Sequence, residues 1–158
     1  LKEQMEVEKY LASLTYVDKD RIGIWGWSFG GYMSALAITA GADYFKTAVS
    51  GAPVTNFRYY DNIYTERYLG LPKDNPSGYD DNAPTSHADK LKGNLLLAHG
   101  STDDNVHYQN TIEFVNALII ANKQFEMQIY PNRNHNIGGG NARYHLFKRI
   151  TDYLFRNL

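Results

Sequence analysis

Cysteine is absent from the 158 residues. That excludes disulfides, thiolate metal sites and a cysteine nucleophile, and it leaves the redox compartment open. An excess of one charge is absent too. Sixteen Lys and Arg stand against seventeen Asp and Glu, for a formal net charge of −1. No basic surplus exists to hold a polyanion, so nucleic acid is not expected as a partner. No uncharged apolar run reaches the roughly 18 residues that a membrane span needs. Residues Leu1 to Leu14 mix charges with apolar positions and resemble no signal peptide. There is no internal repeat and no low-complexity tract. The chain begins at Leu rather than Met, which suggests a processed protein or a piece of a longer one. Apolar residues make up 43% and charged residues 21%. The composition is therefore that of a folded chain long enough for one domain with a sizeable core.

Tyrosine is what the sequence has in excess, thirteen in all, with Tyr59, Tyr60, Tyr64 and Tyr68 crowded together. Leu1, Met5, Leu11 and Leu14 recur near helical spacing, so the first segment reads as an amphipathic helix. After the polar turn Val17–Asp20, Arg21–Trp25 reads as a short buried strand that stops at Gly26. Tyr32–Thr39 reads as a helix buried on most sides, and Thr47–Ser50 as a second strand. Asn56–Ser86 is long, polar and aromatic, with a helical turn or two over Ile63–Leu69. Asn94–Ala98 is a third buried strand ending at His99-Gly100. Tyr108–Ala121 reads as a helix with Ile112, Val115, Leu118 and Ile119 on one face. Phe125–Tyr130 is a fourth strand, and Ala142–Leu158 a closing helix. Apolar strands alternating with helices predict an α/β architecture on a mainly parallel sheet.

The sharpest chemical signal is Gly26-Trp27-Ser28-Phe29-Gly30. It matches the G-x-S-x-G elbow and lies between a predicted strand and a predicted helix, as that motif requires. Both glycines are expected to be sterically necessary in so tight a turn. Ser28 would project its hydroxyl above the sheet, with a helix N-terminus behind it favouring developing negative charge. A serine nucleophile needs a base, and the base needs an orienting carboxylate. The third strand runs into His99-Gly100-Ser101-Thr102-Asp103-Asp104-Asn105, and the fourth into Pro131-Asn132-Arg133-Asn134-His135. Both sets lie where open α/β sheets place their sites, at the carboxyl ends of strands. Position within the loop does not separate Asp103 from Asp104.

The other histidines have plainer readings. His87 lies in a polar stretch, His99 ends a strand as a satisfied structural residue, His107 precedes a helix and His145 sits within one. There is no H-E-x-x-H and no zinc spacing, so no metal is expected. Gly138-Gly139-Gly140 lacks the lysine of a phosphate-binding loop and lies beyond the last strand, which makes it a linker.

Taken together, the elbow with Gly31-Tyr32, the stretch His99 to His107 and Asn134-His135 resemble the prolyl oligopeptidase family of serine peptidases. The stretch Tyr59-Tyr60-Asp61-Asn62-Ile63-Tyr64-Thr65-Glu66-Arg67-Tyr68-Leu69-Gly70 is similar to the dipeptidyl peptidase IV branch. The resemblance implies Ser28 as nucleophile, Asp103 as the acid and His135 as the base, with the Phe29 N–H as one oxyanion donor. It further implies a proline pocket built from Val54, Phe57, Tyr60, Tyr64, Asn105 and Val106. Phe29 and Phe57 stand where the branch often has Tyr and Trp, and both keep an apolar wall.

The activity implied is release of N-terminal dipeptides with penultimate Pro or Ala through an acyl-enzyme, without a cofactor. The fold implied is the C-terminal portion of an α/β-hydrolase, residues 1–158 forming part of a peptidase catalytic domain. The strands that open such a sheet, the second oxyanion donor (a tyrosine hydroxyl) and a propeller domain that grips the substrate amino-terminus would then lie elsewhere in a longer parent. The fragment by itself is expected to be inactive. The resemblance also implies an exported or membrane-anchored parent and a homodimer through the last helices. On the closing helix Tyr144, Phe147, Tyr153, Leu154, Phe155 and Leu158 offer more apolar surface than one core-facing stripe needs. The rival readings are an acylaminoacyl peptidase or esterase of the same fold, and a non-catalytic dimerisation module.

Overall fold

The structure, a computed structural model, describes all 158 residues. Four strands form one parallel sheet in chain order: β1 (Gly23–Trp27), β2 (Thr47–Gly51), β3 (Asn94–Gly100) and β4 (Glu126–Tyr130). Six α-helices accompany them: α1 (Lys2–Ala12), α2 (Phe29–Thr39), α3 (Asn62–Leu69), α4 (Pro76–Asp80), α5 (Gln109–Ile120) and α6 (Ala142–Asn157). This is the expected α/β architecture, a parallel sheet flanked by helices as in an α/β-hydrolase. β2 and β3 are buried almost throughout. Parallel central strands need helices on both faces, and their side chains show it by alternating between two cores. Ala48, Leu95 and Leu97 pack with Ile38 of α2 and with Phe114 and Leu118 of α5. The intervening Val49, Leu96 and Ala98 pack with Leu146, Ile150 and Tyr153 of α6.

Four local expectations are corrected. β1 runs from Gly23 to Trp27 and not from Arg21 to Trp25. Arg21 belongs to a short 3-10 turn begun by Asp18, whose carboxylate accepts the Asp20 N–H. Gly26 sits inside the strand, and Trp25 on this edge strand is 51% exposed. α2 begins at Phe29, one turn before the sequence suggested. Its glycines lower helix propensity, but burial along nearly its whole length outweighs that. The buried face of α5 is Asn110, Thr111, Phe114 and Leu118, while Ile112 and Ile119 of the expected stripe are exposed. Polar residues can occupy the inner face because they are satisfied there. The Asn110 side chain accepts the Thr55 N–H at 3.0 Å, and Thr111 meets His99 at 2.7 Å. In α1 the buried residue is Glu8, and Leu11 of the expected stripe is exposed.

The long excursion between β2 and β3 has its own structure. Arg58 makes a bidentate pair with Asp80 at 2.7 and 2.8 Å, tying the turn Phe57–Tyr59 to α4. Asp61 caps α3 by accepting the Tyr64 N–H at 2.9 Å. The tyrosine cluster therefore splits: Tyr59 and Tyr60 precede α3, and Tyr64 and Tyr68 lie on it.

Candidate active site

The carboxyl ends of the strands carry the sequence-predicted residues. Between β1 and α2 the chain reverses at Ser28, whose φ of 60° and ψ of −118° are strained for a residue with a side chain. The turn is held by the Ser28 N–H, which donates to the Gly51 carbonyl at 2.8 Å, and by the Ser28 carbonyl, which accepts the Tyr32 N–H at 3.0 Å. Serine at this position ordinarily caps the helix through its hydroxyl. Here the side chain makes no cap hydrogen bond, so the hydroxyl is left for other work. The Phe29 N–H is one of the first four amides of α2, which have no partner within the helix.

The glycine requirement differs from the expectation. A methyl group on Gly26 would lie 2.5 Å from the Gly30 backbone, so Gly26 is obligatory. A methyl group on Gly30 would meet nothing within 4 Å. The second obligatory glycine is Gly31, where a methyl would fall 2.3 Å from the Gly51 carbonyl oxygen. The turn forbids a side chain on the strand side, while the close approach of α2 to β2 forbids one a full position later.

Asp103 and His135 arrive from the loops after β3 and β4. His135 Nδ1 lies 2.7 Å from Asp103 Oδ2, and the Asp103 side chain has no exposed surface. Asp104 is exposed, so the geometry separates two residues that loop position did not. Asp103 Oδ1 accepts the N–H groups of Asn105 and Val106, each at 3.0 Å. Burial pushes the Asp103 carboxyl up. Hydrogen bonds from His135, His99 and the Asn105 N–H outweigh it and hold the group well below the usual carboxylate range. A carboxylate only accepts, so the proton between the pair sits on His135 Nδ1 and leaves Nε2 free to accept another.

Two contacts fix the loop that bears His135. The Trp27 indole N–H donates to the His135 carbonyl at 2.9 Å, so the residue before Ser28 grips the backbone of His135. Gly100 lies beneath the same loop; a methyl group there would stand 2.2 Å from the Arg133 carbonyl oxygen. Neither role was evident from the sequence, although both residues stood within motifs already singled out. Backbone strain gathers at the same end of the sheet. Of the five non-glycine residues with positive φ, Ser28, Ala52, Asn132 and Ile137 follow β1, β2 and β4.

The expected pocket residues also converge. Val54 and Val106 are buried in one cluster with Tyr32 and Leu36, and Phe57 and Tyr60 pack against it. Tyr64 faces Phe57 with its ring nearly parallel, 16° between planes, and meets Tyr60 edge-on at 5.5 Å. Burial first, then the Asp61 carboxylate, push the Tyr60 hydroxyl up. It stays protonated and donates to Asn105 Oδ1 at 2.8 Å. Tyr32 is an additional wall, with ring centroids 5.5 Å from Phe29 and 5.2 Å from Phe57. Its signal in the sequence was its spacing, one helical turn after Ser28. Two hollows flank this cluster. An apolar one of about 630 Å³ is walled by Phe29, Tyr32, Met33, Phe57, Tyr64 and Tyr68 among others. A polar one of about 670 Å³ is walled by Arg58, Tyr60, Asp61, Asp104, Asn105 and His107 among others. Ser28 and His135 are in neither wall; their neighbour Phe29 borders the first, and Asn105 the second. No group of three or more His, Asp or Glu side chains is arranged to hold a metal ion. No helix is long and apolar enough to cross a membrane.

Comparison with known proteins brings a family to this geometry. The sequence profile of the prolyl oligopeptidase family matches residues 1–158. The chain belongs to the prolyl oligopeptidase family. It is similar to "Probable dipeptidyl-aminopeptidase B" of Ajellomyces capsulatus strain H88, with 43% identity over 157 residues, covering 97% of this chain and 17% of that protein. The Aspergillus oryzae protein of the same name is 41% identical over 155 residues, again with 17% of its length covered. Among solved structures, Porphyromonas gingivalis dipeptidyl peptidase 4 superposes with a TM-score of 0.97 at 48% identity, over 99% of this chain and 22% of that one. The chain thus spans about a fifth of the length of these relatives.

Proposed function

We propose that this chain is the nucleophile-bearing part of the catalytic domain of a serine dipeptidyl peptidase, acting on peptides with penultimate Pro or Ala. The observation that carries the reading is the 2.7 Å contact between buried Asp103 and His135 Nδ1, at the rim where strained Ser28 presents an uncommitted hydroxyl. His135 Nε2 takes the Ser28 proton as Oγ attacks the scissile carbonyl. Asp103 holds the imidazole and stabilises the imidazolium, and the Phe29 N–H meets the developing oxyanion. His135 then passes its proton to the leaving amine. The ester on Ser28 is hydrolysed by water along the reverse path.

The ring of proline is compact, rigid and apolar, and it suits the aromatic cluster of Phe57, Tyr60 and Tyr64, whose first two members pack against buried Val54 and Val106. The names of the relatives support dipeptide release as the product class. Their length supports a larger parent, with a second oxyanion donor and a substrate clamp supplied from outside these residues, in the manner of a propeller domain. Losing one oxyanion donor costs about 10²–10³-fold in turnover, so the isolated 158 residues should be nearly inert.

The test is kinetics of the full-length protein on a Gly-Pro arylamide and on an N-acetylated amino-acid arylamide. Hydrolysis of the first only supports the proposal, and preference for the second favours an acylaminoacyl peptidase. Robust Gly-Pro cleavage by the isolated chain would remove the need for the outside parts.

A second proposal concerns assembly. Phe155, Ile120 and Tyr144 are 85%, 77% and 74% exposed, whereas Tyr153 of the same helix is buried in the core. The exposed set on α5 and α6 suits a homodimer of the parent. Light scattering should give a dimer that Phe155→Glu dissociates; a monomer unaffected by the change would end the idea.

A further inference from the structure

We propose that His99 is a positioning residue: it holds the Asp103 carboxylate in the orientation that His135 needs, and Thr111 in turn fixes the tautomer of His99. The inference rests on the reading of Asp103 and His135 as orienting acid and base.

His99, at the end of β3, has no exposed surface, and neither does Thr111 on α5. His99 Nε2 lies 2.9 Å from the Val106 carbonyl oxygen and 3.2 Å from Asp103 Oδ2. Both partners are acceptors, so Nε2 carries a proton and shares it between them. On the other side of the ring, Nδ1 lies 2.7 Å from Thr111 Oγ1. With the Nε2 proton in place, the neutral ring has its lone pair at Nδ1, and the Thr111 hydroxyl donates to it. Hydrogen bonds thus run without a break from Thr111 through His99 and Asp103 to His135. Three of these four side chains are fully enclosed, and His135 is the one that opens to the rim.

The count of acceptor positions gives His99 its role. A carboxylate offers about four lone-pair sites. Two are taken on Oδ1 by the Asn105 and Val106 amides, and two on Oδ2 by His135 and His99. With every site filled in a dry environment, the plane of the carboxylate has no alternative setting. Without His99, Oδ2 keeps only His135, and the carboxylate can swing about its Oδ1 anchors. A histidine that merely needed buried partners would already be satisfied by Val106 and Thr111. The contact to Asp103 is what links it to the chemistry. Because the same proton pins the Val106 carbonyl, His99 also ties the acid to the buried cluster against which Phe57 and Tyr60 pack.

The experiment is a double-mutant cycle in the full-length protein, assayed on a Gly-Pro arylamide. His99→Phe keeps a ring and removes all three hydrogen bonds, to Thr111, Asp103 and Val106. His99→Gln restores a donor near the Nε2 position. Supporting contacts one step behind the reacting groups are worth on the order of 10–100-fold in activity. His99→Phe should lower kcat by about that factor, and His99→Gln should recover most of it. In an Asp103→Asn background, His99→Phe should change the residual rate by less than about twofold, because a residue acting through Asp103 has nothing left to act on. An equal loss in both backgrounds overturns the proposal, as does full activity of His99→Phe beside an inactive Asp103→Asn; in either case the triad stands. Full activity of Asp103→Asn overturns the triad and the proposal together. Should His99→Phe fail to fold, Thr111→Val replaces it. A kcat loss of roughly three- to tenfold, absent in the Asp103→Asn background, is then expected for one lost hydrogen bond. No loss in Thr111→Val overturns the relay.

Discussion

The corner around Asp103 and the slot around Tyr64 lie at the same end of the sheet and are built on opposite principles. At the corner, every polar atom of a fully enclosed carboxylate has a partner. The slot is held by ring contacts, with Tyr64 40% exposed and Tyr68 66% exposed. On the proposed function, the difference follows from what each must do. Proton transfer demands groups fixed within a few tenths of an ångström. Accepting a proline-sized ring demands area and shape, which aromatic side chains supply with few rotatable bonds. Changes at the corner should therefore fall on kcat, and changes in the slot on KM.

The largest effect belongs to Ser28, where the two demands meet. Ser28→Ala should lower turnover by on the order of 10⁶-fold with the fold intact. Ser28→Gly should be equally inactive yet more stable, by about 1 kcal/mol, because glycine relieves the positive φ and no cap bond is lost. Thermal melts of the two variants check this; a Ser28→Gly no more stable than Ser28→Ala would mean that the turn is unstrained.

Next come the two glycines that let backbones touch. A methyl at Gly31 or Gly100 collides with a carbonyl oxygen at 2.3 or 2.2 Å. Gly100→Ala pushes on the loop bearing His135 and should cost kcat at least about tenfold through misplacement of the base. Gly31→Ala separates α2 from β2 and should cost about 1–3 kcal/mol of stability as overpacking. Normal kinetics in Gly100→Ala would show that the loop adjusts freely.

The slot gives effects of a different kind, on KM rather than on kcat. Phe57→Ala removes a wall shared with Tyr32, Tyr60 and Tyr64. It should raise KM for a Gly-Pro substrate by roughly 10–200-fold, as lost apolar contact. Tyr60→Phe removes only the bond to Asn105, worth about 0.5–1.5 kcal/mol, and should raise KM severalfold. A loss confined to kcat in either variant breaks the division between corner and slot. Smallest of all is Gly30→Ala. Its methyl points into open space, so kcat should not move and stability should hold or rise by up to about 1 kcal/mol, although the motif reads as though both its glycines were essential.

That last case shows what the sequence could and could not convey. The parallel α/β order was legible because β2 and β3 are buried runs that alternate with helices. The strand-end placement of Ser28, of the Asp103–Asp104 pair and of His135 was legible because motif and topology coincide there; loop position left Asp103 and Asp104 open, and the family resemblance alone chose between them. Three things were not. Gly26 looked like a strand terminator, since nothing in a linear pattern reports that the Gly30 backbone lies against it. The inner face of α5 was misread because Asn110 and Thr111 are polar residues satisfied by partners about 55 and 12 positions away. His99 read as merely structural because its contact with Asp103 depends on a loop folding back over the strand end. Each miss is a tertiary contact that overrides a local rule.

Activation of Ser28 by Asp103 through His135 is the central claim for this molecule. The most direct measurement is reaction of the full-length protein with a fluorophosphonate, with the adduct located by peptide mass spectrometry. The geometry predicts a single adduct on the peptide carrying Ser28, formed far more slowly in Asp103→Asn. An adduct on another residue, or an undiminished rate in Asp103→Asn, would contradict it.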